Sequence, residues 1–120
     1  MTLLWVRIAS AILFLGVALG AFGAHGLKNV LSEPMKAVYQ TGVHYQLIHG
    51  LAIFVVAWLS AKTGQPTVGA AGWFFVAGVV LFSGSLYALS LSGIRLFGII
   101  TPLGGLCFLA GWACLFLTRG

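Results

Sequence analysis

The sequence predicts an all-α membrane protein in which four transmembrane helices form an up-down antiparallel bundle, with an amphipathic connector between helices one and two. Three observations carry this. Of 120 residues, 61% are hydrophobic and 6% charged, whereas about a quarter of a soluble domain is charged. The mean hydropathy is +1.11. The six cations Arg7, Lys28, Lys36, Lys62, Arg95 and Arg119 fall at the ends of apolar stretches, each near the roughly 20 residues that a spanning helix needs. With Glu33 as the one acidic side chain, the chain lacks the charge to cover a water-facing surface. Scattered cations of this kind set helices at headgroups and do not form a nucleic-acid patch.

The first span covers residues 8–27, between Arg7 and Lys28. An Arg-led apolar run followed by Ala21, Phe22 and Gly23 also has the outline of a signal peptide, but three further apolar segments commit the chain to the membrane. In residues 28–41, Leu27, Val30, Leu31, Met35 and Val38 gather near one side of a helical wheel, as in a surface-lying amphipathic piece. Ser32 is placed to cap a turn starting at Glu33 and Pro34, which can run on into the next span. The second span covers 42–61 and ends at the break Lys62, Thr63, Gly64, Gln65, Pro66. The third, 68–91, stops at Ser92, Gly93, Ile94, Arg95. The fourth, 96–117, contains Thr101 and Pro102, which mark either a helix start or a kink. The whole chain, 1–120, is one membrane domain.

Threading these spans up and down puts Trp5, Trp58, Trp73 and Trp112 toward one side, with both termini and Lys62. Tyr39, Tyr45 and Tyr87 fall toward the other, with Lys28, Lys36 and Arg95. Aromatic belts of this kind mark membrane interfaces, although Trp112 lies deeper than a belt residue should. The positive-inside count ties at three against three. The N-terminal amine and Glu33 tip it toward cytoplasmic termini.

Helices in lipid associate where small side chains let backbones approach, and the chain has 17 glycines. Gly16, Gly20 and Gly23 share a stripe on the first span. Gly78 lies in a seven-residue repeat with Ala71, Ser85 and Ser92, and Gly104 and Gly111 alternate with Cys107 and Cys114 on the fourth span. These spacings predict packing positions. The two cysteines are too far apart along a helix, about 10 Å, to form a disulfide.

Polar side chains inside a bilayer are expensive and point to function by default. His25, His44, Gln46, His49, Ser83, Ser85, Tyr87 and Thr101 all fall from mid-depth to the tyrosine side and form a candidate polar cluster. At 100° per residue, Gln46 and His49 share the small face of the second span with Gly50, while His44 sits about 140° from His49 and near the headgroups. Counting from Gly42, His49 lies roughly 10 Å below the surface. A neutral, hydrogen-bonded imidazole is expected there, with Tyr87, Ser83 or a backbone carbonyl as partner. A metal site from His25, His44 and His49 is not expected, because His44 and His49 do not share a face and no Cys or carboxylate adjoins them. Glu33 lies in the connector, so no serine–histidine pair has an orienting carboxylate, and no enzyme and no cofactor are predicted.

The run Gly20, Ala21, Phe22, Gly23, Ala24, His25, Gly26, Leu27, Lys28, then His44, Tyr45, Gln46, then Leu81, Phe82, Ser83, Gly84, Ser85, Leu86, Tyr87, and Ile100, Thr101, Pro102, Leu103, Gly104, Gly105, resembles the family called domain of unknown function 423. That family comprises small multi-pass bacterial membrane proteins, with an animal relative called transmembrane protein 256. The resemblance implies a plasma-membrane helix bundle of no established activity and supplies no site residues. The function expected is a structural or interaction component in the lipid bilayer, with a second copy or another membrane protein as partner. The alternatives are a small oligomeric channel or transporter using the cluster around His49, and a lipid-binding role for the piece around Met35 and Val38, sensitive to charge at Lys28 and Lys36.

Overall fold

A computed structural model describes residues 2–120, and among them every regular element is helical. We number four helices: α1 (Thr2–His25), α2 (Glu33–Thr63), α3 (Pro66–Ser92) and α4 (Phe97–Phe116), each long and apolar enough to cross a membrane. They run up and down, so the α2–α3 turn meets the C-terminus. There the Gln65 amide donates to the carbonyl of Arg119 and accepts from its backbone N–H at 3.0 Å, and the hydroxyls of Thr67 and Thr118 meet at 3.1 Å.

Local chemistry sets the ends. The Ser32 hydroxyl accepts from the N–H of Met35, with Pro34 in the first turn, where its missing N–H is no loss. Gly64 and Gly93 close α2 and α3 at φ 62° and 73°, a left-handed conformation that disfavours any side chain. The connector is therefore shorter than expected. Residues 33–41 form the first turns of α2, and the non-helical link is only Gly26–Ser32. The reason is tertiary: Tyr39 is buried against α1 and donates its hydroxyl to the carbonyl of Leu19 at 2.6 Å. That bond holds the helix on its course above Gly42. At 31 residues, α2 is about 46 Å long, which exceeds the ~30 Å hydrocarbon core and leaves its start among the headgroups.

The molecule is a flattened bundle measuring 49 × 26 × 16 Å. Helix α2 is its centre, packed on α1 along one side and on α3 along the other, and α3 in turn packs on α4. The glycines named from spacing lie at these seams. A Cβ on Gly16, Gly20 or Gly23 would meet Leu47, Val43 or Tyr39 of α2; on Gly78 it would meet Phe108, on Gly111 Phe75, and on Gly104 the backbone of Phe82. One core lies toward the tryptophan end, around Trp5, Ile53, Val56, Val68 and Phe75; a smaller one joins Leu27, Tyr39 and Val43.

Two features depart from simple periodicity. Residues Val79–Ser83 of α3 form a π-helical turn, a wide turn that inserts one residue into the helical register. Trp5 is not an interfacial belt residue. It is fully buried, edge-on to Trp73 at 5.0 Å, and its indole N–H has no hydrogen-bond partner.

Candidate functional site

The candidate site is built on the middle of α2, where Gln46, His49 and Gly50 are buried. Since α2 begins at Glu33, His49 lies 16 residues in, about 24 Å along the axis, at the middle of the helix. Gln46 spans three helices. Its amide nitrogen donates to the carbonyl of Ile12 in α1 at 2.9 Å, and its amide oxygen accepts from the hydroxyl of Tyr87 in α3 at 2.6 Å.

His49 is held by both ring nitrogens. The indole N–H of Trp112 in α4 donates to Nε2 at 3.0 Å, and Nδ1 lies 2.8 Å from the carbonyl of Tyr45. An indole only donates and a carbonyl only accepts, so Nε2 must carry the lone pair and Nδ1 the proton. The ring is thereby fixed as one neutral tautomer. Phe108 stacks on it at 3.6 Å between centroids and 9° between planes, and Phe75 stands 5.5 Å away. Buried imidazole is thus enclosed by aromatic faces, with both polar atoms satisfied.

Two serines complete the set. Ser83, in the π-helical turn, donates to the carbonyl of Gly42 at 2.6 Å, where the missing side chain admits the ring of Tyr87. Ser85 donates to the carbonyl of Phe82 at 2.9 Å, so its oxygen accepts from Thr101 of α4 at 2.6 Å. Thr101 precedes Pro102 inside α4, which leaves the carbonyl of Gly98 without its usual helical donor.

Six of the eight residues named from sequence, Gln46, His49, Ser83, Ser85, Tyr87 and Thr101, are therefore joined by bonds that run between helices. His25 and His44 are not. Both are exposed: His25 ends α1, and His44 is turned away from His49 by five helical steps. Periodicity could not supply Trp112, Phe108 or the carbonyls of Ile12, Leu19 and Gly42. The depth of Trp112, too great for a belt residue, was the one available signal.

A groove of about 440 Å³, lined by His49, Tyr45, Phe82, Pro102, Leu109 and Trp112, opens beside this cluster toward the lipid-facing side of α4. It is mostly apolar. Among the described residues no group of three His, Cys, Asp or Glu side chains lies close enough to hold a metal ion.

Four lipid-exposed apolar helices tied by buried hydrogen bonds define a multi-pass integral membrane protein. The model of the family described as "Protein of unknown function (DUF423)" matches residues 19–105, and the chain belongs to that family. It is 52% identical over 99 residues to the UPF0382 membrane protein YwdK of Bacillus subtilis, covering 82% of this chain and 80% of that one. It is 44% identical over 115 residues to the UPF0382 membrane protein SH2409 of Staphylococcus haemolyticus, covering 96% and 93%. The UPF0382 inner membrane protein YgdD of Escherichia coli is 46% identical over 100 residues, covering 83% and 76%. No solved structure matches the chain.

Proposed function

We propose that the chain is a non-catalytic structural or interaction component of the bacterial cytoplasmic membrane, with both termini inside and with a second copy or another membrane protein as its partner. The observation that supports this is the use to which the buried polar groups are put. Gln46, His49, Ser83, Ser85, Tyr87 and Thr101 are all engaged in bonds between helices. A transport pathway needs polar groups that can exchange partners with a passing solute; here the imidazole has neither nitrogen free. The outer faces of α1 and α4 are left for lipid or protein, through residues such as Phe14, Val17, Leu106, Leu109 and Phe116.

Crosslinking in native membranes at native expression tests the reading. An adduct heavier than the monomer is expected, and capture of monomer alone defeats it. Liposomes containing the chain are expected to leak protons and small solutes no faster than empty ones. Flux that falls on His49→Ala would favour the transport reading instead.

A further inference from the structure

A second concavity lies where α1 ends and α2 begins, well away from the His49 cluster. It is lined by Gly23, Ala24, Lys28, Leu31, Lys36, Tyr39 and Gln40 and encloses about 160 Å³, far more than the ~10–15 Å³ that one water needs. Its chemistry is two-sided. Gly23, Ala24 and Leu31 give it an apolar part at the end of a spanning helix, and Lys28 and Lys36 line it with two cationic side chains. The hydroxyl of Tyr39 is already committed to the carbonyl of Leu19, so Lys28, Lys36 and the Gln40 amide are the groups left to meet a ligand, and only the lysines carry charge.

The charge around this pocket is unbalanced. Glu33 is the only acidic side chain in the sequence, and it is paired with Lys36 at 2.9 Å. Lys28 therefore has no carboxylate side chain anywhere in the protein to neutralise it. Glu33 is itself 86% exposed, and a solvent-exposed pair of this kind is weak, so an anion in the pocket can draw Lys36 away from it. The first turns of α2, which place Lys36, stand among the headgroups, at the depth where a lipid carries its phosphate.

We propose that this pocket binds the phosphate of an anionic phospholipid, held between Lys28 and Lys36, with the glycerol and upper acyl chain against Gly23, Ala24 and Leu31. A pocket with cationic and apolar parts at a membrane interface is complementary to an anionic amphiphile; a free ion would gain nothing from the apolar part. The ligand is therefore a lipid and not dissolved phosphate. The site is independent of any protein partner.

The test uses the full chain in vesicles of phosphatidylcholine with a minority of phosphatidylglycerol, followed by native mass spectrometry of the lipids it retains. Phosphatidylglycerol should be enriched over its share of the bilayer, and the enrichment should fall about fivefold for each of Lys28→Gln and Lys36→Gln. Lys62→Gln with Arg119→Gln, at the opposite end, should leave it unchanged. Glu33→Gln should strengthen retention by freeing Lys36. Both lysines are at the surface, so Lys→Arg variants, which keep the charge, separate loss of binding from loss of fold and should retain the lipid. Equal retention of the two lipids, or enrichment that survives removal of both lysines, overturns the proposal. Binding of inorganic phosphate by the chain in pure phosphatidylcholine vesicles as strong as its binding of phosphatidylglycerol overturns the assignment to a lipid.

Discussion

At the scale of single residues, His49 shows how a membrane interior keeps an ionisable group quiet. The two bonds to its ring demand opposite things of its nitrogens, and one neutral tautomer satisfies both. Nitrogen NMR of the imidazole should find Nδ1 protonated and Nε2 bare. Trp112→Phe removes the donor to Nε2 but leaves the Tyr45 carbonyl to hold Nδ1 protonated, so the Nε2 resonance should move while the tautomer and the Gln46–Tyr87 bond persist. The bundle should lose about 0.6 kcal/mol, the average measured for hydrogen bonds between helices in lipid, and no more than about 1.7 kcal/mol, read by unfolding in mixed micelles. An unaltered Nε2 resonance would mean that Trp112 does not bond to it. That His49 faces protein was legible in its position one turn from Gln46 and beside Gly50. A backbone carbonyl as one partner was expected and is that of Tyr45, but Tyr87 and Ser83 bond to Gln46 and Gly42 instead, and Trp112 was not legible because it lies 63 residues away and only the docking of α4 brings it near.

At the scale of elements, the seams decide which glycines matter. Gly104 sits against the backbone of Phe82 in the π-helical turn, so an added methyl meets main chain that cannot swing aside. Gly84 has nothing within 4 Å of where its Cβ would be. Gly104→Ala should therefore destabilise by about 1–3 kcal/mol or more, as overpacking does. Gly84→Ala should be neutral or stabilising by up to about 1 kcal/mol, through helix propensity. Similar losses at both positions would show that α3 and α4 do not meet at this seam. Gly104 was marked by its spacing along α4, but Gly84 lies one residue from Ser85, and no pattern in the sequence separates an enclosed glycine from an open one. Helix ends were easier to read, since charges, Ser32–Pro34 and the glycines at 64 and 93 act locally. The start of α2 at Glu33 was legible in Ser32 and Pro34, but the contact that makes residues 33–41 one helix with the span was not, because the Tyr39 hydroxyl bonds to Leu19 across 20 residues.

At the scale of the whole molecule, four crossings put Lys28 and Arg119 on opposite faces of the membrane. Single cysteines at these positions, in a background with Cys107 and Cys114 replaced by serine, should react with an impermeant maleimide from opposite sides of sealed vesicles. In intact cells only the substitution at Lys28 should label if the termini are inside. Labelling of both from one side would remove a span. The crossings themselves were legible because each is bounded by charge. The polarity of the bundle was legible in outline, since polar residues cluster toward the tyrosine side. The flattened shape was not, because it depends on α2 lying between α1 and α3, an arrangement that hydropathy along one chain does not encode.

The widened turn at Val79–Ser83 has a consequence for how the two halves of α3 are phased. Each residue of an α-helix turns the chain by about 100°, and the π-helical turn absorbs one extra residue, so removing one residue there would let α3 run as regular helix with both halves in phase, but a second residue removed with it would rotate everything after them by that angle. The half containing Trp73 and Phe75 would keep its neighbours. Tyr87 and Ser85 would swing off Gln46 and Thr101 into lipid, with no change in hydropathy, helix content or predicted topology. Such a two-residue deletion should pass every test of membrane insertion yet lose cooperative unfolding at the tyrosine end, which makes a single residue in length the variable that aligns one end of the bundle with the other.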